Sequence, residues 1–239
     1  MHKFVVANYK MNGSEDFFAF VIKKLKKLET KDTKIVLCPP FVYLHEFKKN
    51  NAKLTKNNIS LGAQDVASEN NKKSTGQINA DMLVDMGCKY VIVGHSERRA
   101  IYETDEIVAK KTVEAIKHGL VPIVCVGEES KDAGITQVKA QVRAVFKALK
   151  AEGLNAKENV IFAYEPVWAI GTGEVPNVKQ INKAKQAILS VLDFEPTVLY
   201  GGSVNGQNYT DLLGEMDGFL LGGVSLKVDE FLSIVRGVQ

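Results

Sequence analysis

Along the chain, short runs of β-branched and apolar residues alternate with longer segments in which apolar residues recur every three or four positions. The short runs predict strands at 4–8, 34–38, 59–63, 90–93, 121–126, 160–164, 197–200 and 218–221. The longer segments predict amphipathic helices. Within 17–28, Phe18, Val21, Ile22, Leu25 and Leu28 make one stripe, with the lysines mostly opposite. Further helices are expected near 41–50, 79–86, 105–118, 136–152, 178–192, 205–213 and 227–236. Asp105, ahead of Ile107 and Val108, reads as a helix start, and Gly119 as a stop.

Most of the predicted strands are nearly continuous apolar runs, as expected where helices cover both faces of a sheet, and parallel strands need long crossovers. Eight units in 239 residues average about 30 residues each, enough for one strand and one helix. A doubly wound sheet uses the same unit. Eight near-complete repeats with no Pro/Gly-rich linker favour one closed (β/α)8 barrel spanning residues 1–239 as a single domain.

Composition narrows the class further. With 45% apolar and 25% charged residues, the chain is unlike disordered or coiled-coil sequences. Thirty-one basic against 28 acidic residues leave +3, spread along the chain, so no nucleic-acid partner is expected. No run reaches the ~18–20 apolar residues of a membrane span, and the apolar start before Asn8 is too short for a secretory signal. Cys38, Cys88 and Cys125 form no CxxC and sit in or beside apolar stretches. They read as core thiols of a reducing compartment, so the expected address is the cytoplasm.

In such a barrel, reactive groups stand just beyond the carboxyl ends of the strands. There the sequence places Asn8-Tyr9-Lys10 after the first strand and Gly94-His95-Ser96-Glu97-Arg98-Arg99 after the fourth. Glu165-Pro166-Val167-Trp168-Ala169-Ile170-Gly171-Thr172-Gly173 follows the sixth, Gly201-Gly202-Ser203-Val204 the seventh, and Gly222-Gly223-Val224-Ser225 the eighth. A lone Gly-Gly at a strand end is usually a plain turn. Two at adjacent strand ends point to phosphate held by backbone N–H groups, with Lys10 adding positive charge.

His95 is either a structural imidazole or a catalytic one. A helical turn opening at Ser96 would aim amide groups at one ring nitrogen, keep the ring neutral and turn the other nitrogen's proton into the cleft. Glu165, between an apolar strand and Pro166, is a candidate general base. Residues 166–176 hold exposed-looking Trp168 and Ile170 between two prolines, a composition suited to a lid. Gly171-Thr172-Gly173 lacks the third glycine of a dinucleotide fingerprint, and Pro176 stands near its place, so that reading is rejected.

Five stretches in register with the eight-unit pattern resemble the triosephosphate isomerase family. They are Asn8-Tyr9-Lys10-Met11-Asn12-Gly13, Val93 through Arg99, Ala163 through Gly173, Tyr200-Gly201-Gly202-Ser203-Val204 and Gly218 through Gly223. The resemblance implies a TIM barrel that interconverts glyceraldehyde 3-phosphate and dihydroxyacetone phosphate through an enediolate, without metal or organic cofactor. It implies Glu165 as the base, His95 as the electrophile, Lys10 with Asn8 stabilising substrate charge, and Glu97 supporting Lys10. Phosphate would be held around Gly171, Ser203, Gly222 and Gly223. It further implies a homodimer in which the loop around Lys72-Lys73-Ser74-Thr75-Gly76 inserts into the partner, with Thr75 approaching the other site. From the residues alone, 65–79 is a long polar loop.

The sequence departs from the family at Gln77, commonly a glutamate paired with the arginine matching Arg98, at the shortened lid hinge Glu174-Val175-Pro176, and at Tyr9, commonly tryptophan. Two other functions compete. A glycoside hydrolase could use Glu97 and Glu165 as its carboxylate pair, although the rim carries glycine turns and a lysine in place of a sugar cleft's aromatics. A phosphate-binding barrel without turnover would keep the fold but has no need of Lys10, His95 and Glu165 together.

Overall fold

All eight strands expected from the apolar runs form, in a computed structural model that describes residues 3–30, 32–157, 159–170 and 176–238. They are β1 (Lys3–Asn8), β2 (Thr33–Cys38), β3 (Ile59–Ala63), β4 (Cys88–Val93), β5 (Val121–Val126), β6 (Ile161–Tyr164), β7 (Thr197–Tyr200) and β8 (Gly218–Leu221). Each pairs in parallel with the next, and β8 returns to β1, closing the barrel. The doubly wound alternative is thereby excluded.

The α-helices on the outside are α1 (Glu15–Leu25), α2 (Leu44–Lys48), α3 (Asn51–Thr55), α4 (Ala80–Asp85), α5 (Ser96–Arg99), α6 (Asp105–Lys117), α7 (Gly134–Ala151), α8 (Val178–Leu189), α9 (Tyr209–Leu213) and α10 (Val228–Gly237). Side-chain caps set several starts: Ser14, Asn79, Thr104 and Asn177 each accept a backbone N–H three residues on, and Gln180 returns the bond to Asn177. Gly119 follows α6 at φ +79°, the left-handed stop its position predicts.

Alternation along the strands produces two apolar layers. Phe4, Val6, Val36, Ile92, Ile123, Cys125, Leu199 and Leu220 fill the barrel, while Val5, Ala7, Ile35, Leu37, Val91 and Val124 face the helices. The three cysteines are buried and unpaired. No helix among the described residues is long and apolar enough to cross a membrane.

Five expected elements shift. The 41–50 segment divides into a 3-10 turn at Phe41–Tyr43 followed by α2. The helix expected at 205–213 shrinks to α9, because Asn205 Oδ1 takes the N–H groups of Gln207 (2.8 Å) and Asn208 (3.1 Å) and holds a turn there. The 17–28 and 178–192 helices close earlier, at Leu25 and Leu189. β4 starts two residues earlier, at Cys88, because Cys88 pairs with Leu61 across a register shift in β3.

Candidate active site

At the end of β1, Lys10 adopts φ +51°, a left-handed conformation rare for a side chain of this size. Neighbours hold it there. Its N–H donates to Asn8 Oδ1 at 3.0 Å, and its carbonyl accepts from Gln64 Nε2 at 2.9 Å. Gln64 Nε2 also donates to the Cys38 carbonyl at 2.9 Å, so one amide ties the ends of β1, β2 and β3 together. The turn aims Lys10 Nζ across the barrel mouth to Glu97 Oε1, 2.7 Å away.

At the end of β4, the helical turn on which the His95 reading depended forms at Ser96–Arg99. His95 caps α5, with Glu97 N–H donating to Nδ1 at 3.2 Å. A nitrogen that accepts an amide N–H carries no proton, so the proton of the neutral ring sits on Nε2. Nε2 lies 3.2 Å from Glu165 Oε1, and the other oxygen of Glu165 accepts Ser96 N–H at 3.1 Å. Both residues are buried, His95 at 6% and Glu165 at 2% exposure. The short helical turn thus sets the histidine tautomer with one amide and anchors the carboxylate with the preceding one.

These groups open into a cavity of about 290 Å³ lined by Asn8, Lys10, His95, Glu165, Ser203 and the glycine turns after β7 and β8. Glycine at 201 is required, since a Cβ there would stand 2.8 Å from Glu165 Cγ. On the far wall, Gly222 leads into a 3-10 turn, Gly223–Leu226, locked by Ser225, whose N–H and Oγ–H both reach the Gly222 carbonyl at 2.9 and 2.6 Å. Asn208 Nδ2 holds the Ser203 carbonyl at 3.1 Å. Asn8, Lys10, His95, Glu165, Ser203, Gly222 and Gly223 therefore share one cavity, with Glu97 joined to it through Lys10. Gly171, Glu174 and Val175 lie outside the described residues. Among the described residues, no three His, Cys, Asp or Glu side chains are grouped to hold a metal ion.

Several residues at the site were not singled out from sequence. Glu128, after β5, is buried and accepts from Tyr164 Oη at 2.8 Å and Trp168 Nε1 at 3.0 Å, while Val167 N–H bonds its carbonyl. Trp168 is consequently half-buried, where the sequence suggested exposure. Buried Gln141 on α7 exchanges two hydrogen bonds with the Gly127 backbone and fixes the end of β5. Burial pushes the Cys125 thiol well above its usual range, and the negative charge and hydrogen bond of Glu165 push it further the same way. Their common signal is a polar or ionisable side chain beside a strand end or on an inward helix face. Their partners lie far away in sequence.

Arg98, whose common glutamate partner is replaced by Gln77, finds its carboxylates within the chain. Arg98 pairs with Asp65 at 2.8 Å and Glu103 at 3.1 Å, and stacks on Tyr102. Lys111, at 2% exposure, joins the same two carboxylates at 2.5 and 2.6 Å.

Comparison with known proteins agrees with this geometry. A family model described as triosephosphate isomerase matches residues 3–238. A triosephosphate isomerase of Nitrosococcus oceani is 41% identical over 248 aligned positions, covering 97% of each chain. One from Herminiimonas arsenicoxydans is 41% identical, covering 98% of each, and one from Alkaliphilus oremlandii is 38% identical, covering 99% of this chain and all of its own.

Proposed function

The chain belongs to the triosephosphate isomerase family, and on that premise we propose how its own residues carry the interconversion of glyceraldehyde 3-phosphate and dihydroxyacetone phosphate, a step of glycolysis and gluconeogenesis. The observation that carries the assignment is the hydrogen bond donated by the Glu97 N–H to His95 Nδ1, which leaves an Nε2–H facing Glu165 at the mouth of a cavity with two glycine turns.

Substrate phosphate rests against the backbone of Ser203, Gly222 and Gly223, with Gly171 contributing from the lid. Asn8 and Lys10 face the substrate oxygens, and Glu97 keeps the Lys10 ammonium over the cavity. A substrate carbonyl takes the Nε2–H of His95, which otherwise faces Glu165 Oε1 at 3.2 Å. The carboxylate then turns from Ser96 N–H toward the carbon next to the substrate carbonyl, removes its proton as general base and returns that proton to the former carbonyl carbon. The enediolate charge is met by Lys10 and by the neutral imidazole, which exchanges protons between the two oxygens. Closure of residues 166–176 would exclude water while that intermediate exists and suppress loss of phosphate.

The cycle is balanced within the substrate and the side chains and calls for no metal or cofactor. We further propose one domain over residues 1–239, a cytoplasmic address and a homodimer. Exposed Met11, Val42, Ile101 and Tyr102 support a partner surface, and the Asp65–Asn79 loop, with exposed Thr75 near its tip, would reach the partner's site. A sugar-cleaving role for Glu97 and Glu165 finds no support here, because Lys10 occupies Glu97 and His95 stands against Glu165.

The deciding experiment follows glyceraldehyde 3-phosphate conversion by coupled reduction of the ketone product, with Glu165→Gln alongside. Rapid turnover lost in the variant is expected. A folded, phosphate-binding wild type without turnover would instead make this a binding barrel.

A further inference from the structure

The loop after β3 supplies no group to the reaction described above, yet two adjacent residues of it reach both halves of the site. Gln64 holds the strained Lys10 backbone. Asp65 grips Arg98 at 2.8 Å through one oxygen and buried Lys111 at 2.5 Å through the other. Arg98 lies on the turn that presents Ser96 and Glu97 to Glu165 and His95. Its own N–H bonds the His95 carbonyl at 2.8 Å, and its carbonyl accepts from Ile101, Tyr102 and Glu103. Moving Arg98 therefore moves the amide that sets the His95 tautomer.

We propose that Asp65 is a positioning residue for this isomerase, holding the 95–99 turn through Arg98 so that Glu97 N–H stays on His95 Nδ1. The carboxylate is kept there against its own preference. Burial pushes its carboxyl up and Glu103 adds to that push, although Lys111 and Arg98 pull it down. Gln77 lines the same cavity as Asp65, Arg98 and Tyr102, so a carboxylate at 77 could face Arg98 from another side.

The inference rests on the role proposed for His95, and the test separates the two. Asp65→Asn, nearly isosteric, is compared with wild type in full-chain protein for kcat, KM and the ring-nitrogen shifts of 15N-labelled histidine, His95 being assigned among the four histidines with a His95→Gln sample. kcat should fall about tenfold with KM within about twofold, as displacement of a catalytic group without loss of binding predicts. The His95 nitrogen signals should move, and Asp65→Asn combined with Gln77→Glu should recover most of the loss. If Asp65→Asn does not fold, Arg98→Lys carries the same comparison, since it keeps the charge but loses the fork.

An unmoved His95 signal overturns the proposal. So does a kcat loss that Gln77→Glu leaves untouched, because the effect would then belong to Lys111. A shifted His95 signal with unchanged kcat upholds Asp65 as the positioning residue and overturns His95 as the electrophile.

Discussion

Glu165 is held by one hydrogen bond, from Ser96 N–H, and its other oxygen lies 3.2 Å from His95 Nε2. Glu165→Asp shortens the reach by one methylene without touching Ser203, Gly222 or Gly223. Turnover should fall about 10²-fold or more, since misplacement of a reacting group by ~1 Å costs that much, while affinity for phosphoglycolate changes little. Steady-state kinetics with a competitive-inhibition series checks this, and a parallel loss of inhibitor binding would point to a disturbed fold. Lys10, His95 and Glu165 were legible in the sequence because each stands within two residues of the end of an apolar strand run, and barrel topology converts that position into a place at the mouth. Gln64, Asp65, Glu128 and Gln141 were not. Gln64, Asp65 and Glu128 also stand beside strand ends and Gln141 on an inward helix face, but each acquires its role from a partner on another element, Gln64 from Lys10 and Gln141 from Gly127, that the local pattern does not name.

At the scale of elements, hydrophobic periodicity marked all eight strands, whereas helix ends depended on individual side-chain bonds. Asn205 shortened α9 and Ser14 set the start of α1, neither of which periodicity encodes. The four-residue α5 is too short to register as a periodic segment, although it sets the His95 tautomer. The segment entering the lid behaves in the same way. Pro166 and the 3-10 turn Val167–Ala169 are anchored to Glu128 by the Trp168 indole and the Val167 N–H, with Lys131 over the Trp168 ring. If this segment moves when phosphate binds, the indole must leave or reorganise that contact. Emission from Trp168, the single tryptophan, should change on saturation with phosphoglycolate. In Glu128→Ala the ligand-free emission should already be shifted and the ligand-induced change reduced. Emission identical with and without ligand would count against lid movement.

For the molecule as a whole, the barrel interior and its helical cover confine acids that ionise only at alkaline pH. Burial pushes Cys88 up to about 12 and raises Cys38 and Cys125 well above their usual range; Cys38 and Cys125 receive a further push from Cys88 and Glu165, respectively. Tyr9, Tyr164 and Tyr200 are raised too, in each case chiefly by burial. An unfolded thiol releases its proton near pH ~8.5, so above about pH 9 the unfolded chain binds fewer protons than the native one. Stability must therefore fall as pH rises between the unfolded and folded values, by about 1.4 kcal/mol per pH unit for each such group. Three thiols acting together steepen this to about 4 kcal/mol per pH unit before the tyrosines contribute near pH ~10. Urea midpoints should be level between about pH 7 and 8.5 and drop steeply by pH ~10.5, and Cys88→Ala should remove part of that slope. Native protein at pH 8 should also resist thiol reagents until it is unfolded, because the three thiols are buried as well as protonated. Midpoints unchanged up to pH ~10.5 would mean that the interior admits solvent to these groups, contrary to the dense filling of the barrel by Phe4, Ile92, Ile123 and Leu199.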